Sequence, residues 1–333
     1  MKRKKVLVMG IFLLSIFFWY DVRGAQSKDP EYPVRPMELY IPMSAGGSTD
    51  LASRAFINAA NKHLPQPIIP INKPGGGGTI AAMAVKTAKP DGYALGSITM
   101  SGAFTPPFSE NPPYKDLSCF TWIVNFGTYV FPVIVKSDAP WKTWMEFIEW
   151  ARKNPRATKL GITGSKYSDY KALALWQVEQ REKVQFTYIA FKGSGEVLSA
   201  ILGGHINMYG STVDASTIPY VKKGDLRLLA YLGINKVPGY EGFPSMQELY
   251  GIEFPDLLAI IGPQGLPDYV VRKLEGAFAR AVKDPEFIEA MNRMYMPIIY
   301  MDKDTLLKYV QETFLRTAKI YEKVKAEEAK EKK

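Results

Sequence analysis

"MSAGGSTD", Met43 to Asp50, and "NKPGGGGT", Asn72 to Thr79, are two glycine clusters, each set between an apolar run and a segment of helical spacing. Before the first cluster, "MELYIP" reads as a strand. After it, Leu51, Ala52, Ala55, Phe56, Ala59 and Ala60 recur at helical spacing as far as "HLP". "PIIPIN", Pro67 to Asn72, is a second strand, and Thr79 is placed to cap a helix carrying Ile80, Ala84, Val85 and Ala88. "PDG" at 90–92 then turns the chain into a third strand, "YALGSITM". Strand, loop and helix in repeated alternation predict a parallel sheet with helices on its faces. Ligands of such sheets bind beyond the carboxyl ends of the strands, which is where both glycine clusters fall.

The alternation resumes further on. "YVFPVIVK", Tyr129 to Lys136, reads as a strand, and Trp144, Phe147, Ile148 and Ala151 mark a helix. "TKLGIT" leads to a helix within "GSKYSDYKALALWQV", with Ser165 or Ser168 as its cap. "QFTYIAF" leads to a helix running from a Ser194 cap to a Gly203–Gly204 stop, and "INMYG" and "LRLLAYL" are further strands. From Pro263 the chain reads as helical, with one face of Leu274, Ala277, Phe278 and Ala281 and another of Leu307, Val310, Phe314, Ala318 and Tyr321. These spacings divide the chain into a first lobe of 33–129 plus 256–333 and a second of 130–255, with connecting strands near Gly127–Pro132 and Ile252–Ile261.

With 333 residues, 47% hydrophobic and 23% charged, the chain has globular composition and length for two cores. Residues 1–24 differ. Lys2 to Lys5 make a basic start, and "VLVMGIFLLSIFFWY" is an apolar run of 15 residues, short of the roughly 20 that span a bilayer as a helix. With Val22 and Gly24 at the −3 and −1 places, residues 1–24 read as a signal peptide cleaved after Gly24; the alternative is an uncleaved anchor. Cys119 is the single cysteine, so no internal disulfide is expected, which suits a periplasmic location. The formal charge of +9 falls to about +5 without residues 1–24, a mild excess that favours anionic solutes. No basic stripe with interleaved aromatics is present, so a nucleic-acid partner is not expected. Trp141, Trp144 and Trp150 read as helix packing.

Glycines at a strand-to-helix junction let the backbone bend sharply and approach a ligand. The first N–H groups of a helix lack internal partners, and the helix dipole adds positive potential there. Two such ends facing one point suit an anionic group, a carboxylate above all, with no lysine required. Gly46, Gly47, Ser48 and Thr49 are the donors of the first loop, and Gly75 to Gly78 with Thr79 those of the second. Ser44 and Ser101 join the candidate ligand-binding set. Asp50 falls in the first helical turn, where a carboxylate complements the dipole; it reads as a brace for the loop, or as an ammonium acceptor if the ligand is an amino acid.

Signatures of catalysis are thin. The lysine of a phosphate-binding loop is missing after "PGGGGT", and "GSGEV" lacks the surroundings of a nucleophile elbow. His63 and His205 are the only histidines, and neither sits in a metal-ligand spacing. No cofactor, no metal and no enzymatic activity are expected; an enzyme acting on carboxylates would have to use Asp50 or Asp214 as base. Lys192 reads either as a solvated lysine or as a contact for a second carboxylate across a cleft.

"YPVRPMELYIPMSAGGSTD", "NKPGGGGTIA", "PDGYAL", "FKGSGEVLSAILGGHI" and "KKGDLRLLA" occur in this order between Tyr32 and Ala230. The set resembles the extracytoplasmic solute receptors of tripartite tricarboxylate transporters, the Bug or TctC-like family. The resemblance implies an α/β fold of the type II periplasmic binding protein class, two α/β lobes around a ligand cleft joined by two hinge strands. It also implies a carboxylate ligand held by the glycine loops (Gly76, Gly77 and Gly78 among them). Second-lobe contacts would come from Thr163, Gly164, Ser165 and Ser168, from Lys192, Gly193 and Ser194, and from Thr212 and Asp214. The chain departs from the family at Met43, where phenylalanine is common, and at "YGSTVD", Tyr209 to Asp214. The expected partners are a small carboxylate and the membrane subunits of such a transporter, with the receptor a periplasmic monomer; a receptor feeding a sensor kinase is the alternative.

Overall fold

The apolar run before the first glycine cluster forms β1 (Met37–Ile41), with Met37, Leu39 and Ile41 buried and Glu38 on the opposite, exposed face. The computed structural model describes residues 30–109, 111–163, 170–213, 216–233 and 240–331. After β1 come α1 (Ser48–Asn61), β2 (Ile68–Asn72), α2 (Thr79–Lys86), β3 (Ala94–Thr99), a short α3 (Met100–Phe104) and β4 (Phe120–Tyr129). Then follow β5 (Phe131–Lys136), α4 (Trp144–Lys153), β6 (Thr158–Thr163), α5 (Tyr170–Glu182), β7 (Phe186–Phe191), α6 (Ser194–Leu202), β8 (Met208–Tyr209), α7 (Ile218–Lys223) and β9 (Leu226–Leu232). The chain continues through α8 (Met246–Tyr250), β10 (Asp256–Pro263), α9 (Asp268–Ala281), α10 (Pro285–Arg293) and α11 (Lys303–Glu331).

Two five-stranded sheets result, in the orders β2-β1-β3-β10-β4 and β7-β6-β8-β5-β9. β1 pairs in parallel with β2 and β3, and β6 in parallel with β7 and β8. One strand in each sheet runs against its neighbours: β10 lies antiparallel to β3 and β4, and β5 antiparallel to β8 and β9. The chain passes between the sheets twice, through Val130 alone between β4 and β5, and over the longer path from Leu232 to Asp256. This is the two-lobed α/β arrangement that the resemblance implies.

Aromatic side chains fill both cores. Phe56 of α1 stacks on Phe126 of β4 at 4.3 Å and also meets Phe278 and Phe287 of α9 and α10. In the other sheet's core, Trp141 lies 4.5 Å from Trp150 and 5.3 Å from Phe147, the packing role that the tryptophan spacing suggests.

The structure corrects several local readings. Thr79 and Ser194 are the first residues of their helices; Gly78 and Gly193 occupy the cap positions, without side-chain capping bonds. Leu51 and Ile80 are about half exposed, and α11 buries Leu306, Val310, Thr313, Thr317, Tyr321 and Val324 while Leu307 faces outward. Two threonines on the buried face shifted the apolar reading of that helix by one position. β4 carries almost no polar alternation because nine of its ten residues are buried, so periodicity gave no signal for it. The signal-peptide reading of 1–24 and the caps proposed at Ser165 and Ser168 lie outside the described residues.

Candidate ligand-binding site

Asp50 organises the first glycine loop. Its carboxylate accepts the Gly46 N–H at 2.9 Å, the Asn72 amide at 2.8 Å and the Arg54 Nε–H at 2.8 Å. Asn72, the last residue of β2, also donates to the Met43 carbonyl at 2.9 Å and accepts from Arg54 at 2.8 Å. One buried carboxylate therefore ties the loop after β1 to the end of β2 and to its own helix. Burial alone would raise its pKa, but the bonds from Gly46, Asn72 and Arg54 outweigh that and hold it below the ordinary value. The geometry is that of a brace, with the carboxylate 2% exposed and occupied on both oxygens.

The hydroxyls beside it are also engaged. Thr49 Oγ1 lies 2.5 Å and Ser48 Oγ 3.4 Å from the hydroxyl of Tyr129, the last residue of β4. Burial pushes the Tyr129 phenol up to about 12, so it remains a neutral hydrogen-bonding group. The main-chain N–H groups of Ser48 and Thr49, in the open first turn of α1, find no acceptor among the described residues.

The second loop is shaped by its glycines. Gly75, Gly76, Gly77 and Gly78 all have positive φ, from 58° to 125°, which winds residues 76–78 into a single 3₁₀ turn ahead of α2. Gly78 N–H is taken by the Gly75 carbonyl, while the N–H groups of Gly76 and Gly77 find no acceptor among the described residues. α3 closes in from below: a Cβ on Gly102 would lie 3.3 Å from the Gly77 carbonyl oxygen. Ser101 commits both its donors to Asp256, with the N–H and the hydroxyl each 2.8 Å from a carboxylate oxygen.

These pieces enclose a cavity of about 570 Å³. Met43, Gly76, Gly77 and Thr79 line it from the loops, Ser101, Gly102 and Thr105 from α3 and its end, Asn111 from the segment beyond, and Thr163, Tyr170 and Lys171 from the second sheet and α5. Of the sequence-predicted residues, Gly76, Gly77, Thr79, Ser101 and Thr163 are brought together here. Ser44, Gly46, Gly47, Ser48, Thr49, Asp50, Gly78, Lys192, Gly193, Ser194 and Thr212 do not line this cavity. Lys192 is exposed, with its N–H held by Glu196, and the Thr212 carbonyl accepts the Tyr209 hydroxyl. Gly164, Ser165, Ser168 and Asp214 lie outside the described residues.

Lys171 and Tyr170 are the functional candidates that the sequence reading missed. Lys171 Nζ donates to Thr163 Oγ1 at 3.3 Å and stands 5.0 Å over the Phe131 ring. Tyr170 is buried between Phe104 and Phe254, and its hydroxyl has no hydrogen-bond partner among the described residues. The loss of hydration on burial raises its pKa well above the ordinary phenol value.

Residues 52–326 match the model of a family described as the tripartite tricarboxylate transporter family receptor, TctC. A Cupriavidus necator protein, the UPF0065 protein in the gbd 5′ region, is 33% identical over 97% of this chain and 98% of its own length. A TctC solute-binding protein from Polaromonas, solved without ligand, superposes with a TM-score of 0.75 at 29% identity, over 88% of this chain and 100% of that one. MatC of Rhodopseudomonas palustris, solved with bound malate, shares the fold with a TM-score of 0.70 at 22% identity, over 87% of this chain and 100% of that one. This chain belongs to the TctC family of tripartite tricarboxylate transporter receptors.

Proposed function

We propose that this chain is a periplasmic receptor that captures a small carboxylate in the cavity between its two sheets and presents it to the membrane subunits of a tripartite carrier. The observation that carries the reading is the cavity's chemistry. Gly76 and Gly77, whose N–H groups find no acceptor among the described residues, line the same cavity as Lys171 and Thr163. Oriented amides and a cation stabilise a carboxylate without any covalent step. That a protein of the same fold holds malate supports the same ligand class.

The reading includes cleft closure. The lobes are 33–129 with 256–333 and 130–255, and a ligand that touches both favours the closed state by its differential affinity. A carrier that recognises the closed state then receives loaded receptor. An exported, monomeric protein with residues 1–24 as its signal peptide fits this role, and no bound cofactor takes part. Asp50 is too firmly held by Arg54, Asn72 and Gly46 to serve as a catalytic base, which favours a receptor over an enzyme.

A thermal-shift screen against a library of small organic acids tests the proposal. A ligand present at one hundred times its Kd adds about 2.7 kcal/mol to stability and raises the midpoint accordingly. Acids should be the hits and should be recovered chemically unchanged. A library in which neutral compounds stabilise the protein and acids do not would overturn the carboxylate reading, and turnover of a hit would overturn the receptor reading.

A further inference from the structure

We propose that α11 is a latch between the lobes, fastened by Glu327, which holds the second sheet where both sheets wall the cavity; the inference rests on the cleft-closure reading above. The helix is rooted in the first lobe. Just before it, Met301 exchanges main-chain hydrogen bonds with Asn125 of β4, at 3.0 and 3.2 Å. Along it, Phe314 packs on Phe104 and Phe108, and Tyr321 stacks on Phe108 at 4.4 Å. Lys325 Nζ donates to the Phe108 carbonyl at 2.8 Å. The middle of α11 also grips the longer crossing, where Glu253 accepts from the Tyr309 hydroxyl at 3.1 Å and from Arg316 Nη1 at 3.3 Å.

The end of α11 takes hold of the other lobe. Glu327 accepts the buried Trp176 indole N–H at 2.8 Å and the Gln180 side-chain amide at 3.3 Å, both from α5. α5 in turn is fixed to the second sheet, since Glu179 accepts the Phe186 N–H at 2.6 Å and the Tyr188 hydroxyl at 2.7 Å. Arg156 and Lys183 line the same recess as Glu327, so the second lobe also presents cations to the carboxylate. α5 is thus a rod with the ligand cavity at one end, through Tyr170 and Lys171, and the latch towards the other.

The lever is long enough for the contact to switch. Glu327 stands eleven residues beyond Arg316, which is about 16 Å of helix from the grip on the crossing. A lobe rotation of about 10° around the crossing displaces the latch by up to about 3 Å, more than a hydrogen bond tolerates. The bond therefore exists in one arrangement of the lobes and is lost in the other, and it weights the balance between them before any ligand arrives.

The test is the distance between two spin labels, measured by pulsed electron resonance on the ligand-free mature protein. The labels replace Leu51 and Lys192, one exposed position beside the cleft in each lobe, and Cys119→Ser removes the native thiol. Glu327→Ala should lengthen the mean distance by about 3 Å or more. Trp176→Phe keeps a ring and loses the N–H; it should lengthen the distance in the same direction, and the double variant should add nothing to Glu327→Ala. Glu322→Ala removes the same charge from an exposed position on the same helix and should leave the distance unchanged. An unchanged distance in Glu327→Ala, additive effects in the double variant, or an equal shift in Glu322→Ala would overturn the latch. The readout needs no ligand, so a protein that bound no acid would overturn the receptor reading while the distances alone decided the latch.

Discussion

Asp50→Asn isolates the brace of the first loop. The native carboxylate receives Arg54 and Asn72 on one oxygen and Gly46 N–H on the other. An asparagine has one acceptor face and one donor face, so in either orientation a donor meets a donor. A hydrogen bond to a charged group is worth about 1.5–3 kcal/mol. The Arg54 side chain is 38% exposed, so its share is reduced by solvent screening. The expected loss is about 2–3 kcal/mol at pH 7, a fall in midpoint of roughly 3–4 °C for a chain of this size. Chemical and thermal denaturation of both proteins measure it. Acid supplies an internal control. Asp50 has its pKa lowered in the folded state, so its contribution is complete above the unfolded carboxylate value near ~3.9 and is lost as pH falls through the lower folded value. The gap between wild type and variant should hold steady at neutral pH and close on acidification below about pH 4. A gap under about 0.5 kcal/mol at pH 7 would refute the brace. So would one that does not shrink in acid.

Gly77→Val places a β-branched residue at φ 63°, a conformation that costs an L-residue about 1–2 kcal/mol, although no atom lies within 4 Å of the new Cβ. The protein should still fold and should lose binding of its best organic acid in calorimetry; unaltered affinity would remove the second loop from the site. Cys119 is half-buried, donates to the Asp116 carbonyl and has its thiol pKa raised by burial. It should react with a thiol reagent at pH 7 more slowly than a free cysteine peptide, and rapid labelling would contradict that environment.

The order of elements around both glycine clusters was legible because local chemistry sets it: apolar runs end at glycine, and helical spacing begins after it. Legibility failed where tertiary contacts decide. β4 and β10 lie in the middle or at the edge of the first sheet with nearly every side chain buried, so alternation could not mark them. Both glycine loops follow directly on the ends of β1 and β2, but sequence could not show which of their polar groups are already used. Ser101 is committed to Asp256, 155 positions away, and Thr49 to Tyr129, 80 positions away. Lys171 was passed over in favour of Lys192 because the glycine and serine next to Lys192 looked like a loop that grips ligand. Burial and the Thr163 contact, which only folding creates, are what distinguish the two lysines.

The two crossings lie side by side, and that has a mechanical consequence. Tyr129, before Val130, pairs with Asp256 in the first sheet, and Phe131, after it, pairs with Leu232 in the second. Both links therefore leave one sheet and enter the other at the same place. Any relative rotation of the two halves must pivot there, with its torsion confined to a few backbone angles. A spectroscopic label would report almost no movement near Val130 and the greatest excursion far from it.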